Sequence, residues 1–400
     1  MPNTTFLYCH KQPSGFKESL GAKEAADVMK EGILKVMPLA TVETLPMVDG
    51  GEGFTEAIIN ITGGKMYEVQ VTGPVGDEVQ SYFGVFETRN GERTAVIEMA
   101  AAAGLRLVPR DLRDPRKTTT HGVGQLIELA LNKGVDRILI GCGDSGTSDG
   151  GAGMAEALGV KFLNEDEKEI QIQGGTSLLQ VSKIDTSQAD SRLRHVQIDV
   201  ACNWFNQLCG EHGVARVFGP QKGANEAQVI ELEKALERYA SIIKKDIGID
   251  VHHTPGSGAS GGLGAGLQAL IGATLHPRYD IIMKYMDLNK LLLKCDLVFT
   301  AEGSIDFQTP RGKIPAEVAK CAKRYGLPVI ALVGTVGKGA RINYDYGIDA
   351  YTSILPMPSS LENAFSNAEK WLRDCTESTM RTVLVGYQIA SRLNKSGYVS

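Results

Sequence analysis

The segment Gly141-Cys-Gly-Asp-Ser-Gly-Thr-Ser-Asp-Gly-Gly-Ala-Gly153 gathers the groups most able to do chemistry. Six of its thirteen residues are glycine, so backbone N–H groups can approach a ligand closely. Ser145, Thr147 and Ser148 add hydroxyls, and Asp144 and Asp149 add carboxylates. That mixture suits phosphate oxygens, a divalent cation or a polyhydroxylated substrate. It matches neither the Gly-x4-Gly-Lys-Ser/Thr order of a P-loop nor the spacing of a dinucleotide fingerprint. Alone it specifies a small polar, anionic ligand.

Other segments carry candidate groups of the same kind. Pro13-Ser-Gly-Phe-Lys-Glu-Ser-Leu20 places Ser14 and Lys17 before a helix, where the lysine can meet an anion as a point charge. Met47-Val-Asp-Gly-Gly-Glu-Gly53 holds Asp49 and Glu52, a pair that could bind Mg2+ with help from waters and phosphate. Thr118-Thr-Thr-His-Gly122 offers hydroxyls and His121 ahead of another helix. Asn203, Trp204 and Asn206 follow a strand; amides orient a substrate but do not serve as a general base. Lys222 lies in the turn Phe218-Gly-Pro-Gln-Lys-Gly-Ala224. Ser257 and Ser260 belong to a second glycine-serine loop, His253 to Gly264, again ahead of a helix. Glu302, Asp306, Gln308, Arg311 and Lys313 crowd one further loop.

These loops need elements to hold them at one edge. Apolar runs such as Arg137-Ile-Leu-Ile140 read as buried parallel strands, and they alternate with helical periodicity along the chain. The expected strands are Thr5 to Cys9, Val69 to Gly73, Gln80 to Phe86, Thr94 to Met99, His195 to Val200, Leu297 to Thr300 and Val329 to Val333. Helices are expected over Ala22 to Met37, Gly122 to Asn132, Glu226 to Ile243, Gly261 to Ile271 and, with a break, Ala364 to Leu393. The fold class is therefore α/β with mostly parallel sheets, and ligands bind beyond the strand ends.

Composition sets the outer limits. Four hundred residues imply two domains, and 42% hydrophobic with 22% charged residues is ordinary for a globular protein. A net charge of −5 and a pI near 5.9 argue against a nucleic-acid or membrane-surface role. No apolar run approaches a membrane span, and the N-terminus lacks the pattern of a signal peptide. Seven scattered cysteines without CxxC suit reduced thiols, and the expected location is cytoplasmic.

In this order the loops resemble the glycerate kinase family, the type that phosphorylates D-glycerate with ATP. The resemblance runs from about Pro13 to Gly334. It rests on Phe16-Lys17-x-Ser19-Leu20, Pro46-Met-x-Asp-Gly-Gly-Glu-Gly53, Ala95-Val-Ile-Glu-Met-Ala100 and Thr118-Thr-Thr120. It continues with Asp149-Gly-Gly-Ala-Gly-Met154, Val217-Phe-Gly-Pro-Gln-Lys-Gly-Ala224, Gly261-Gly-Leu-Gly264 and Glu302-Gly303 with Asp306 and Gln308-Thr309. The resemblance implies a Rossmann-like domain from both chain ends, 1–72 plus 285–400, and a flavodoxin-like insertion, 73–284. It also implies an active site in the interdomain cleft and ATP and Mg2+ as ligands. The cleft motifs diverge. Ser14-Gly15 and Glu18 replace the usual Asp-Ser and Gly around Phe-Lys, Asn203 stands where an aspartate is usual, and Ser304 stands where an arginine is usual. Asp144 is an added acid, and Arg311 is the candidate to replace the lost positive charge.

Two readings follow. In the first, the chain is an ATP- and Mg2+-dependent kinase of glycerate or a related small hydroxy acid. Lys17 and Lys222 then offset negative charge, and Asp49, Glu52 or Glu302 hold Mg2+. Asp149 or Asp306 orients or deprotonates the substrate hydroxyl, Asn203 helps to orient it, and the two glycine loops supply N–H donors. In the alternative, a lyase, isomerase or cyclase on the same scaffold acts on a larger organic acid, because Asn203-Trp-Phe205 is more apolar and amide-rich than the family pattern. Either way the partners are small molecules, and association into a homo-oligomer is left open.

Overall fold

A computed structural model of the chain describes residues 5–11, 20, 22–47, 50–88, 90–286, 288–310 and 312–395. It divides into two compact units: Met1–Val48 with Asp287–Ser400, and Asp49–Met286.

The chain begins in the first unit with β1 (Thr5–Lys11), α1 (Ala22–Val36) and β2 (Thr41–Met47). The second unit opens on α2 (Phe54–Thr62), β3 (Lys65–Thr72), β4 (Glu78–Glu87), β5 (Arg93–Glu98) and the short α3 (Ala100–Ala103). Next come α4 (His121–Leu131), β6 (Arg137–Gly141) and α5 (Ala152–Ala157). A small antiparallel sheet follows from β7 (Lys161–Leu163), β8 (Glu169–Ile170) and β9 (Lys183–Asp185). The unit ends with β10 (Gln197–Cys202), α6 (Val214–Phe218), α7 (Glu226–Asp246), α8 (Ala259–Ile271), β11 (Thr274–Pro277) and α9 (Arg278–Met286). The first unit resumes with α10 (Leu288–Leu292), β12 (Leu297–Ile305), α11 (Ile314–Lys323), β13 (Val329–Val336), β14 (Ala350–Ser353), α12 (Leu361–Ser366) and α13 (Ala368–Lys395).

The first unit's sheet has the order β14-β13-β12-β1-β2, all parallel. The second unit's main sheet runs β11-β10-β6-β5-β4-β3. There β11, β10, β6 and β5 are parallel, and β4 and β3 add an antiparallel edge. Ile138, Leu139 and Ile140 of β6 are fully buried, as a parallel strand covered on both faces requires.

Residues 49–72, expected with the flanking domain, belong to the second unit instead. The reason is the ladder: β3 pairs with β4 along its whole length, from Lys65↔Val85 to Thr72↔Glu78. The helix expected from Gly261 begins at Ala259 but contains a left-handed kink at Ser260, Gly261 and Gly262. The long C-terminal helical stretch breaks at Asn367, as expected.

Candidate functional site

In the second unit the segment after β6 is folded around two buried charges. Asp149 is fully buried, and its carboxylate accepts four hydrogen bonds. The donors are Thr120 N (2.8 Å), Thr120 Oγ1 (2.9 Å), Gly151 N (3.1 Å) and Gly153 N (3.3 Å). Thr120 Oγ1 in turn accepts Met154 N at 3.0 Å, so one carboxylate ties the starts of α4 and α5 together. Burial raises the Asp149 carboxyl above its ordinary range, against the pull of these donors. A carboxylate held this way fixes the shape of its loop.

Lys222 is 2% exposed. Its Nζ donates to Ser145 Oγ at 2.9 Å and to the Thr147 carbonyl at 2.6 Å. Burial lowers its ammonium to about 7, opposed by the charge of Asp149. Thr147 Oγ1 and Ser148 Oγ are buried with no hydrogen-bond partner among the described residues. Buried polar groups are normally hydrogen-bonded, so these two hydroxyls keep donor capacity that the described residues do not use.

Neighbouring loops close on this segment through glycines. A Cβ on Gly143 would lie 2.7 Å from Gly51, so the turn at residues 50–53 rests on the β6 loop. Glu52 N donates to Asp144 Oδ2 at 3.1 Å, and the Glu52 carboxylate lies 3.6 Å from Arg106 Nη1. Asp144 itself has a φ of 49°, a left-handed conformation uncommon outside glycine. The second glycine loop packs backbone to backbone on the first: Gly150 N donates to Gly261 O at 3.2 Å. Ser257 Oγ accepts Leu208 N at 3.2 Å, and Asn203 Oδ1 accepts Phe205 N at 3.1 Å. Both residues therefore shape the 203–208 loop. Ser260 sits at the kink of α8 with a φ of 52°.

Glu98 was not among the site residues expected from sequence. It ends β5, is 1% exposed, and accepts Tyr82 Oη (2.6 Å), Thr55 N (2.9 Å) and Gly53 N (3.3 Å). Burial pushes its carboxyl up, against these donors. Glu98 thus caps α2 from a distant strand and holds the turn that carries Glu52. A buried acid at a strand end was the available signal.

In the first unit, Glu302 is buried near the end of β12. Asp306 Oδ1 accepts Gln308 N at 2.8 Å and lies 3.4 Å from both Thr309 Oγ1 and Lys313 Nζ. Lys313 thus pairs with Asp306. Ser14, Lys17, Asp49 and Arg311 lie outside the described residues. Of the expected residues, the second unit brings together Glu52, Ser145, Thr147, Ser148, Asp149 and Lys222 with the Asn203, Ser257 and Ser260 loops; Glu302 and Asp306 belong to the first unit.

Among the described residues, no cluster of three acids, histidines or cysteines is poised for a metal. Mg2+ does not need one, since one or two carboxylates with water and phosphate suffice. Asp144 meets the Glu52 backbone N–H, and the Glu52 carboxylate faces Arg106; both side chains carry the hard oxygen donors that Mg2+ takes. Six described cysteines are free thiols, and no described helix is long and apolar enough to cross a membrane.

Residues 12–384 match the model of the glycerate kinase family. The glycerate kinase of Bacillus subtilis strain 168 is 43% identical over 95% of this chain and 98% of its own. The glycerate 2-kinase of Escherichia coli K12 is 42% identical over 94% and 98%. A crystal structure from Salmonella typhimurium LT2, of a protein provisionally named glycerate kinase 2, superposes with a TM-score of 0.81 at 41% identity. That match covers 96% of this chain and 100% of the other.

Proposed function

The chain belongs to the glycerate kinase family, and from that premise we propose that it transfers the terminal phosphoryl group of ATP to a hydroxyl of glycerate. The observation that carries this reading is the correspondence over nearly the whole chain with relatives named for that activity. A lyase, isomerase or cyclase reading has no comparable support.

Phosphoryl transfer asks a protein mainly for positioning and charge neutralisation. The glycine loop after β6 supplies both. Its N–H groups and the buried hydroxyls of Thr147 and Ser148 are the donors for phosphate oxygens. Lys222 and Asp149 hold that loop in shape from beneath, so their role is to position it. Glu52 and Asp144 are the residues suited to hold Mg2+, with Asp49 beside them in sequence. The ion, when bound, neutralises charge on the phosphates. In the first unit, Asp306 is the candidate to orient the substrate hydroxyl, because its carboxylate is only half buried and has Lys313 Nζ 3.4 Å away. Lys17 and Arg311 remain candidates for the substrate carboxylate.

The test is ADP release from ATP–Mg2+ with a panel of small hydroxy acids led by D-glycerate. Release that depends on D-glycerate supports the assignment, and the phosphorylated carbon of the product then identifies the regiochemistry. Folded protein that releases no ADP with any of them overturns it.

A further inference from the structure

The second unit contains a cavity of about 740 Å³ that none of the roles above uses. Its walls come from the β3–β4 turn, the segment before α4, the 3-10 turn Gly175–Gln180 and α7. β3 runs parallel to β5, because each is antiparallel to β4. The turn after β3 therefore lies at the same sheet edge as Glu98 and the glycine loop.

The cavity and the glycine loop share a wall. Thr118 Oγ1 donates to the Gly146 carbonyl at 2.9 Å. Thr119, which lines the cavity, stands so close to Gly153 that a Cβ there would meet its Oγ1 at 2.2 Å. On the other side, a Cβ on Gly175 would touch the Ser148 carbonyl at 2.5 Å. A ligand with its anionic end on the loop thus has this cavity next to it.

The lining says what the rest of that ligand is. Glu231 shares Arg116 with Asp114: Nη1 lies 2.8 Å from the Glu231 carboxylate and Nη2 2.8 Å from that of Asp114. Lys117 is the cation on the cavity wall itself. Gln173 and Gln180 offer amides; Thr176 Oγ1 donates to the Arg116 carbonyl at 3.2 Å, and Ser177 Oγ accepts Gln173 N at 3.0 Å and keeps its own proton to donate. Val75 and the exposed Leu179 supply apolar flanks. A three-carbon acid is far too small for such a volume, which lies in the range of ~300–1,000 Å³ common for cofactor-sized ligands. Amide edges, hydroxyls and apolar flanks with one cation at the anion-loop side describe a nucleoside joined to phosphate.

We propose that this cavity binds the nucleoside end of the phosphate donor, with Lys117 at its phosphate side. The proposal rests on the kinase reading above and adds the location of the nucleoside. Two variants of lining residues test it in the full-length enzyme: Lys117→Met removes the charge, and Ser177→Tyr fills the space. Steady-state rates are measured against ATP and D-glycerate, and ADP binding is measured by calorimetry, with thermal melts to verify folding. The expected result is a rise of tenfold or more in the KM for ATP and in the Kd for ADP, with the KM for glycerate within twofold of the parent. An active parent whose ATP KM and ADP Kd are indifferent to both changes overturns the nucleoside assignment and leaves the kinase reading standing. A parent that neither phosphorylates glycerate nor binds ADP overturns both.

Discussion

Lys222 and Asp149 are opposite charges buried at the loop after β6: Lys222 reaches Ser145 and the Thr147 carbonyl from the 218–224 turn, and Asp149 accepts two bonds from its own loop and two from Thr120. For Lys222 this makes a prediction with a definite sign. Its folded-state value is lowered to about 7, whereas an unfolded lysine titrates near 10.4. Between these values the unfolded chain binds more protons, so the stability linked to Lys222 rises with pH across that window and is lost as pH falls through about 7. Urea melts of the parent and of Lys222→Met at pH 7, 8 and 9 test it. The stability difference, parent minus variant, should grow with pH, by at most about 1.4 kcal/mol per unit. A difference that stays flat or shrinks means that Lys222 is not held in a depressed state. The residue types of this site were legible in sequence, because dense glycine and hydroxyl side chains after an apolar strand have few other uses. Their partners were not. Lys222 reaches Ser145 across 77 positions, and Glu98 reaches Thr55 across 43, so no local pattern records either contact.

The two glycine loops work as a pair of elements. Gly261 has a φ of +72°, and a Cβ there would lie 1.9 Å from the Thr147 carbonyl. Gly272, which ends α8, has a nearly identical φ of +73° but nothing within 4 Å. Changing each to alanine separates backbone strain from crowding. Gly272→Ala should cost roughly 1–2 kcal/mol for the left-handed conformation alone, with turnover retained. Gly261→Ala should cost about 3 kcal/mol or more and should also abolish most turnover, since it displaces the carbonyl that Lys222 grips. Equal effects in thermal melts and rate assays would show that the contact between the loops has no special weight. Most long elements were legible from their period: α7 has the capping box of Asn225 and Gln228 at its start, and β6 is an unbroken apolar run. The elements that escaped notice lack local signals. α2 begins after a left-handed Gly53 with no side-chain cap of its own, because its cap is Glu98 from another strand. β2 carries Pro46 near its end, and β7 to β9 are three residues or shorter.

At the scale of the whole molecule, the two units differ in how much chain each needs. One buried apolar cluster runs from Val71 to Leu275, entirely inside the contiguous segment Asp49–Met286. Another draws on Leu20 to Val42 and on Leu297 to Met380, two stretches separated by the whole second unit. The sheets repeat the contrast. Every strand of the six-stranded sheet comes from one continuous stretch, whereas β1 sits between β12 and β2 and joins strands from both chain ends. The segment Asp49–Met286 expressed alone should therefore fold and melt cooperatively, since it carries its own core and a complete sheet. In the full chain, deleting residues 1–11 removes β1, so β12 and β2 lose their shared neighbour and the parallel sheet opens between β12 and the edge strand β2. Urea unfolding of that deletion, followed by circular dichroism, should keep one cooperative transition, matching that of the isolated segment, and lose the rest. A segment that shows no cooperative transition of its own would mean that the middle unit depends on the flanking one despite its separate core.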